Sequence, residues 1–503
     1  MPILNSIINW INFKRLYEID LFKTHPVETQ REVLFDLLDE AKNTSFGEKY
    51  RFRSIATEQE FKERVPLQAY EDFAVFVERL MKGEKNLLWP GEIKWFAKSS
   101  GTTNDKSKFI PVSKQSLEDV HYRGVKDVFA LYLKNNPESK VLSGKTLILG
   151  GSHQVNQYSN NSYYGDLSAI LLENTPFWTD FYKTPATEVA LIEEFEEKVG
   201  KIIQESVHEN VTALSGVPSW YLVLLRRVLE TTGKDHILEV WPNLEVFIHG
   251  GIKFDPYREQ YRKIIPSASM KYMETYNASE GFFAIQDDPS GDDMLLMLDY
   301  GIYYEFIPMD QFHLQNPPAL SLEEVIPGEN YAMVISTNGG LWRYIIGDTV
   351  RFTSKNPFKI KITGRTKHFI NAFGEELIID NAEEALKTAC ARTHARILEY
   401  TAGPIFMSEA RKGAHQWIIE FDQGPDDLDH FISVLDGTLK TLNSDYEAKR
   451  HRNLTLERPS LVVAPKGLFY EWMKIRGKMG GQNKIPRLSN DRNYLEELLK
   501  LIN

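Results

Sequence analysis

Apolar and polar positions change rhythm along this chain. Over residues 27–50 and 57–82 the apolar positions recur at helical spacing between charged ones, which predicts two amphipathic helices. WFAKSSGTTNDKSKFIPVS (95–113) then reads as strand, polar loop and strand, and residues 114–135 return to helical spacing. KTLILGG (145–151) is a short buried strand closed by a glycine pair. Residues 186–208 predict a charged helix, and VTALSGVPSWYLVLLRRVLE (211–230) a strand that turns into a helix. LEVFIHGG (244–251) repeats the strand-then-glycine pattern, and MKYMETYNASEG (270–281) is a third case. Buried strands alternating with helices predict an α/β fold built on a largely parallel, helix-covered sheet. In such sheets ligands collect where the C-terminal strand ends meet loops.

From about residue 291 to 365 the texture turns strand-like, in MLLMLDYGIYYEFIPM, YAMVISTNGGLWRYIIGDTVRF and FKIKITGRT. This predicts an antiparallel sheet or small β-barrel-like part attached to the first body. After INAFGEELI (370–378) helices and strands mix again: 380–396, 417–422, 425–443 and 490–502. We expect a large N-terminal domain over 1–368 and a smaller α+β domain over 369–503, with the boundary near 366–376. At the N-terminus, Leu4, Ile7, Ile8 and Ile11 have helical spacing, which we read as a helix packed on its own domain. Lys14 and Arg15 follow the apolar part, the wrong order for a secretion signal, and no run approaches the ~18 apolar residues of a membrane span.

Charge sharpens this picture. Lysine plus arginine number 59 and aspartate plus glutamate 70, a net charge of −11, which argues against a chain-wide attraction to nucleic acid or anionic membrane. One cysteine, Cys390, excludes an intramolecular disulfide framework and a cysteine-rich zinc site, and fits a reducing, cytoplasmic setting. No H-E-x-x-H or G-x-S-x-G pattern occurs.

The loop KSSGTTNDKSK (98–108) concentrates hydroxyls, a glycine and lysines after a strand, a composition able to surround phosphate oxygens, although a solvated Ser/Thr-rich turn has the same composition. It lacks Walker spacing. Taken with two further motifs, YNASE (276–280) and WRYIIGD (342–348), the chain resembles the adenylate-forming enzymes, and among them the acyl-acid amido synthetase family of plant auxin-responsive (Gretchen Hagen-type) proteins. ITGRTKHFINAFGEEL (362–377) is similar to the segment where that family's small C-terminal domain begins, and NKIPR (483–487) to its closing Lys-x-Pro-Arg.

The resemblance implies ATP-dependent adenylation of a small carboxylic acid, followed by transfer of the acyl group to an amine, an amino acid. The cofactors implied are ATP and Mg²⁺, and the expected state is a monomer or weak dimer. Ser99, Ser100, Gly101, Thr102 and Thr103 would hold the β- and γ-phosphates, with Lys108 as the loop lysine. Tyr276 would stack on adenine, and Ser279 would contact phosphate or the acyl carboxylate. Glu280 would bind Mg²⁺, whose preference for hard oxygen ligands suits a carboxylate beside phosphates. Asp348 would accept the ribose hydroxyls, with Arg365 nearby, and Gly250 and Gly251 would line the adenine and acyl pocket. Arg343 and Tyr344 serve equally as buttresses of the turn before Asp348. Val217, in GVPSWY, would lie beside the acyl pocket, and Arg123 is the candidate for gripping the acyl carboxylate. Lys484 would reach the adenylating centre from a mobile C-terminal domain, with a surface lysine as the alternative. An acyl-CoA ligase and a catalytically silent nucleotide binder are the competing readings.

Overall fold

The computed structural model describes residues 14–99, 108–150, 155–159, 161–175, 177–192, 194–366, 369–408, 411–451, 455–476 and 485–502. The helical spacing at Leu4–Ile11 lies outside them. Each long helix expected near the N-terminus is broken once. The first runs over Pro26–Ala41 and gives way to Ser45–Lys49, where the Thr44 hydroxyl caps the new helix by accepting the Gly47 N–H at 3.0 Å. The second, Glu58–Arg64, stops before Pro66. Val65 is pushed into extended backbone, and the helix resumes at Tyr70–Met81 with the Asp72 carboxylate accepting the Ala69 N–H. The helix expected over 114–135 begins as a π turn, Ser116–Tyr122, before the α-helix Arg123–Asn135. The charged helix expected over 186–208 is likewise split, into Thr187–Ala190 and Phe195–Ser206.

One sheet of 11 strands organises the larger part of the chain. Its parallel half carries Lys183–Thr184, Lys145–Ile148, Val211–Gly216, Val246–Gly250 and Lys271–Ala278. Its antiparallel half carries Gly281–Ile285, Met294–Leu296, Phe358–Arg365, Tyr344–Lys355, Asn330–Thr337 and Ile302–Pro308. The antiparallel part expected over 291–365 is therefore present as the continuation of the parallel sheet, not as a separate closed barrel. Strand Lys271–Ala278 is the seam, with a parallel neighbour on one side and an antiparallel one on the other. The central strands are buried on both faces, which explains their unbroken apolar runs. A separate sheet of 4 strands pairs Trp95–Ser99 with Lys108–Val112 on one side and Ser162–Gly165 on the other.

The smaller C-terminal part holds a sheet of 3 strands, Arg396–Ile405, Ala414–Gln423 and Ser460–Ala464, with helices Ile379–Thr393 and Leu428–Leu442 packed on each other. It shares a core with the parallel half: Phe247, Tyr257 and Tyr261 pack in one cluster with Phe373, Trp417 and Leu435. A second cluster joins the antiparallel half to the N-terminal helices through Leu34, Phe73, Trp342 and Tyr344. Residues 14–24 form a helix tied down by Arg15, whose guanidinium meets Asp127 at 2.7 Å and Asp299 at 2.5 Å. No helix among the described residues is long and apolar enough to cross a membrane.

Candidate active site

Parallel register draws three of the singled-out loops to one edge. Gly216 pairs with His249 and Gly250 with Thr275, so the strand ends leading into Val217, Gly251 and Ser279 are neighbours. Two glycines make this edge possible. A Cβ on Gly250 would stand 2.4 Å from the Thr275 carbonyl oxygen, and Gly251 has φ +81° with its open side 3.7 Å from the Val217 side chain. Ser279 and Glu280 form the turn between Lys271–Ala278 and Gly281–Ile285.

The antiparallel half supplies Asp348 and Arg365, register partners on adjacent strands. Gly347, at φ +95°, shapes the strand just before Asp348, and its carbonyl accepts the Thr366 N–H at 2.8 Å. Arg365 Nε donates to Asp348 Oδ1 at 2.8 Å, while the Tyr276 hydroxyl donates to Oδ2 at 2.5 Å. The far end of the Arg365 guanidinium meets Glu376 at 3.2 Å, and its plane lies 5.4 Å from the Phe369 ring centre. Burial works against the Arg365 charge, but the Glu376 and Asp348 carboxylates outweigh it and hold the group firmly protonated. Burial and the Asp348 carboxylate together raise the Tyr276 phenol well above its ordinary range, so Tyr276 is a fixed donor. Its ring is held against Phe283, 4.8 Å between centres.

Glu280 and Lys108 form the charged centre. Burial pushes the Glu280 carboxyl up to about 7; the Lys108 ammonium opposes this and the Asp348 carboxylate adds to it. Burial lowers the Lys108 ammonium, with Glu280 the strongest opposing charge. Lys108 is the register partner of Ser99 at the mouth of the hairpin and stands 5.7 Å from the Tyr70 ring centre, whose hydroxyl accepts the Phe109 N–H. Ser100, Gly101, Thr102 and Thr103 lie outside the described residues, as does Lys484. No group of three metal-ligating side chains occurs among the described residues. A Mg²⁺ held mainly by phosphates and water needs only one or two protein carboxylates, and the Glu280 carboxyl, coupled by charge to Lys108, fits that donor set.

Two of the arginines are committed to partners of their own. The Arg123 guanidinium is committed to Asp299 at 2.9 Å and Glu18 at 3.2 Å, so it anchors helix 14–24 and has carboxylate partners of its own. Arg343 is buttress alone: φ is +45°, Glu305 takes its guanidinium in two bonds of 2.8 Å, and the Lys62 and Val65 carbonyls accept at 2.7 Å.

Sequence reasoning passed over the segment 371–376 as a set of working residues. Asn371 Nδ2 donates to the Gly251 carbonyl at 3.2 Å, the Ser219 hydroxyl to the Phe373 carbonyl at 3.3 Å, and Glu376 holds Arg365. The fully buried Glu375 accepts the Ala372 and Phe373 N–H groups and faces His415 at 2.8 Å. This loop is clamped over the strand ends that carry Val217 and Gly251. A glycine at φ +89°, Gly374, between two aromatic or acidic neighbours was the available signal.

Comparison with known proteins gives a consistent result. Family models described as the GH3 family N-terminal, central and C-terminal domains match residues 15–270, 295–365 and 380–493. Indole-3-acetic acid-amido synthetase GH3.4 of Arabidopsis thaliana is 22% identical over 94% of this chain and 91% of its own length. A jasmonoyl–L-amino acid synthetase of Oryza sativa subsp. japonica is 21% identical over 95% and 94%. Among solved structures, the GH3.15 acyl acid amido synthetase superposes with a TM-score of 0.60 at 18% identity, covering 97% of this chain and 95% of that one. A 2-hydroxyisobutyryl-CoA ligase superposes at 0.59 and 13% identity, covering 95% and 92%. The fold is thus that of adenylate-forming ligases.

Proposed function

The chain belongs to the GH3 family, and on that premise we propose that it activates a small carboxylic acid with ATP and Mg²⁺ and passes the acyl group to an amino acid. The observation that carries this reading is the grip of Tyr276 and Arg365 on the two oxygens of Asp348, with the Glu280 carboxyl coupled by charge to Asp348 and to Lys108.

A carboxylate is a poor acyl donor because its leaving group would be oxide. In the first step a substrate carboxylate oxygen attacks the α-phosphorus of ATP, and the bond to the pyrophosphate oxygen breaks. In the second step the amine nitrogen attacks the acyl carbon, AMP departs with the C–O electron pair, and the nitrogen loses a proton. Little covalent help is needed, so positioning and charge neutralisation supply the rate. Asp348 receives the ribose hydroxyls on the lone pairs left by Tyr276 and Arg365. These two fixed donors hold its carboxylate in one orientation. Lys108 and the hydroxyls of 99–103 bear the β- and γ-phosphates. Glu280 would hold Mg²⁺, which when bound would supply neutralisation of charge on the pyrophosphate. Tyr276 borders the adenine, and Val217, Gly250 and Gly251 form the wall shared by adenine and acyl group. Ser279 reaches phosphate or the acyl carboxylate from the same turn as Glu280.

We further divide the chain into a large domain over 1–368 and a small one over 369–503 that moves between the two steps, carrying Lys484 toward the adenylating centre. A cytoplasmic setting, where thiols stay reduced, suits a chain whose lone cysteine is unpaired. Incubation with Mg-ATP, a panel of carboxylic acids and the amino acids, read by mass spectrometry, tests the proposal. The expected products are an amide and AMP; a thioester formed with CoA and no amide would select the acyl-CoA ligase instead.

A further inference from the structure

A buried lysine outside every motif sits beside the proposed acyl wall. Lys449, in helix Ser444–Arg450, is 6% exposed. Its ammonium lies 3.9 Å from the centre of the Trp220 ring, in the first turn of helix Pro218–Thr232, just after Val217. On the other side is Gly374. A Cβ there would meet the Lys449 Cε at 3.3 Å, its Nζ at 3.6 Å and the Trp220 Nε1 at 3.8 Å. The ammonium is thus held between an indole and a bare stretch of backbone, at the join of the C-terminal part and the parallel half.

No carboxylate among the described residues lies within ion-pair distance of this ammonium. Burial lowers it, against the longer-range pull of Asp445, Asp166, Glu375 and Glu376. Those four groups are engaged elsewhere: Glu375 with backbone N–H groups and His415, Glu376 with Arg365, and Asp166 and Asp445 with partners of their own. Among the described residues the Lys449 ammonium N–H groups have no oxygen acceptor, and an apolar side chain of the same length would pack against Trp220 at a lower desolvation cost. A cation–π contact recovers only part of that loss.

The position gives the cation a use. The loop that carries Gly374 reaches the Gly251 carbonyl through Asn371 and takes the Ser219 hydroxyl on the Phe373 carbonyl. The ammonium therefore lies against the loop that is bonded to the strand ends assigned above to the acyl wall. An acceptor amine must bring its nitrogen to the acyl carbon there, and an amino acid carries its carboxylate one carbon away from that nitrogen. We propose that Lys449 is the anchor of the acceptor carboxylate, with Trp220 holding the ammonium and the missing side chain of Gly374 making room for it. This inference rests on the reading of the chain as an amine-acylating ligase. It assigns Lys449 a positioning role toward the carboxylate of the amino-acid acceptor.

The test separates the two half-reactions in wild type, Lys449→Met, Lys449→Gln and Lys449→Arg. Pyrophosphate release with the acyl acid alone reports adenylation, and amide formation is then compared for amino acids and their carboxamides. Wild type is expected to prefer the amino acid, and Lys449→Met to lose that preference through KM by about ten- to a hundredfold, the range of a charged hydrogen bond. Carboxamide turnover and pyrophosphate release stay unchanged, and Lys449→Arg keeps the preference. Equal losses for amino acid and carboxamide, or an unchanged preference in both neutral variants, would overturn the anchor while leaving the ligase reading intact. A wild type that does not favour the amino acid over its carboxamide overturns it likewise. Absence of adenylation in wild type would overturn the ligase reading itself, and transfer to a thiol alone would overturn both.

Discussion

Asp348 and Arg365 face each other across adjacent antiparallel strands, and Arg365 spans from Asp348 to Glu376. One guanidinium thereby joins the proposed ribose acceptor to the loop that begins the C-terminal part. A carboxylate gripped on both oxygens is preorganised, so its loss removes charge-assisted bonds to the nucleotide and the orientation of Arg365 together. Asp348→Ala is expected to weaken ATP binding by about ten- to a hundredfold, as hydrogen bonds to charged groups contribute. Titration calorimetry with ATP checks this; unchanged affinity would remove Asp348 from the site.

Arg365→Lys keeps the charge but gives up the fork that reaches two carboxylates at once. The expected result is intact folding with faster amide exchange in residues 371–376, read by hydrogen–deuterium exchange mass spectrometry, and a several-fold loss of ATP affinity. Exchange unchanged across that segment would show that Glu376 is held independently of Arg365.

Glu280 gives a pH dependence with a definite sign. Its folded carboxyl titrates at about 7, above the 4.5 of a free glutamate, so between these values the folded chain binds the extra proton. Stability from this group is present below pH 4.5 and lost as pH rises through 7. Glu280→Gln should therefore stabilise the nucleotide-free protein at pH 8, by about 1–2 kcal/mol after allowing for partial solvent screening, and leave it unchanged near pH 4.5. With Mg²⁺ and ATP the order at pH 8 is expected to reverse, because the ionised form is the proposed metal ligand. Melting temperatures at the two pH values, with and without Mg-ATP, measure both effects.

Arg343 belongs to the framework. Replacing it leaves Glu305 buried and unpaired, and breaking such a pair costs about 3–5 kcal/mol. Arg343→Met should lose about that much in urea unfolding, and the double variant with Glu305→Met should recover much of it. ATP affinity of the folded protein should stay within about threefold of wild type; a larger change would return Arg343 to the binding machinery.

What could be read from the chain follows from how local each signal is. Strands buried on both faces leave apolar runs, so Val211–Gly216 and Val246–Gly250 were legible, as were the glycines that end them. The split of 57–82 was legible in principle from Pro66, whose effect on Val65 is local. Asp348 and Arg365 were each recognisable, but their bond depends on a register with two irregularities between the strands. The ion pairs of Arg123 leave no trace in the sequence, because Glu18 and Asp299 come from distant segments and charge alone does not reveal where a guanidinium ends. Lys449 carries no motif at all. Its setting arises only when a C-terminal helix folds back onto Trp220, which no spacing announces.

The proposed activity of this site is the activation of a carboxylic acid by adenylation. Pyrophosphate release from Mg-ATP, measured with and without each member of a carboxylic acid panel, tests it most directly. The expected release requires an acid and falls at least about tenfold in Asp348→Ala. Release independent of every acid, or none with any acid under conditions where ATP binds, would contradict it.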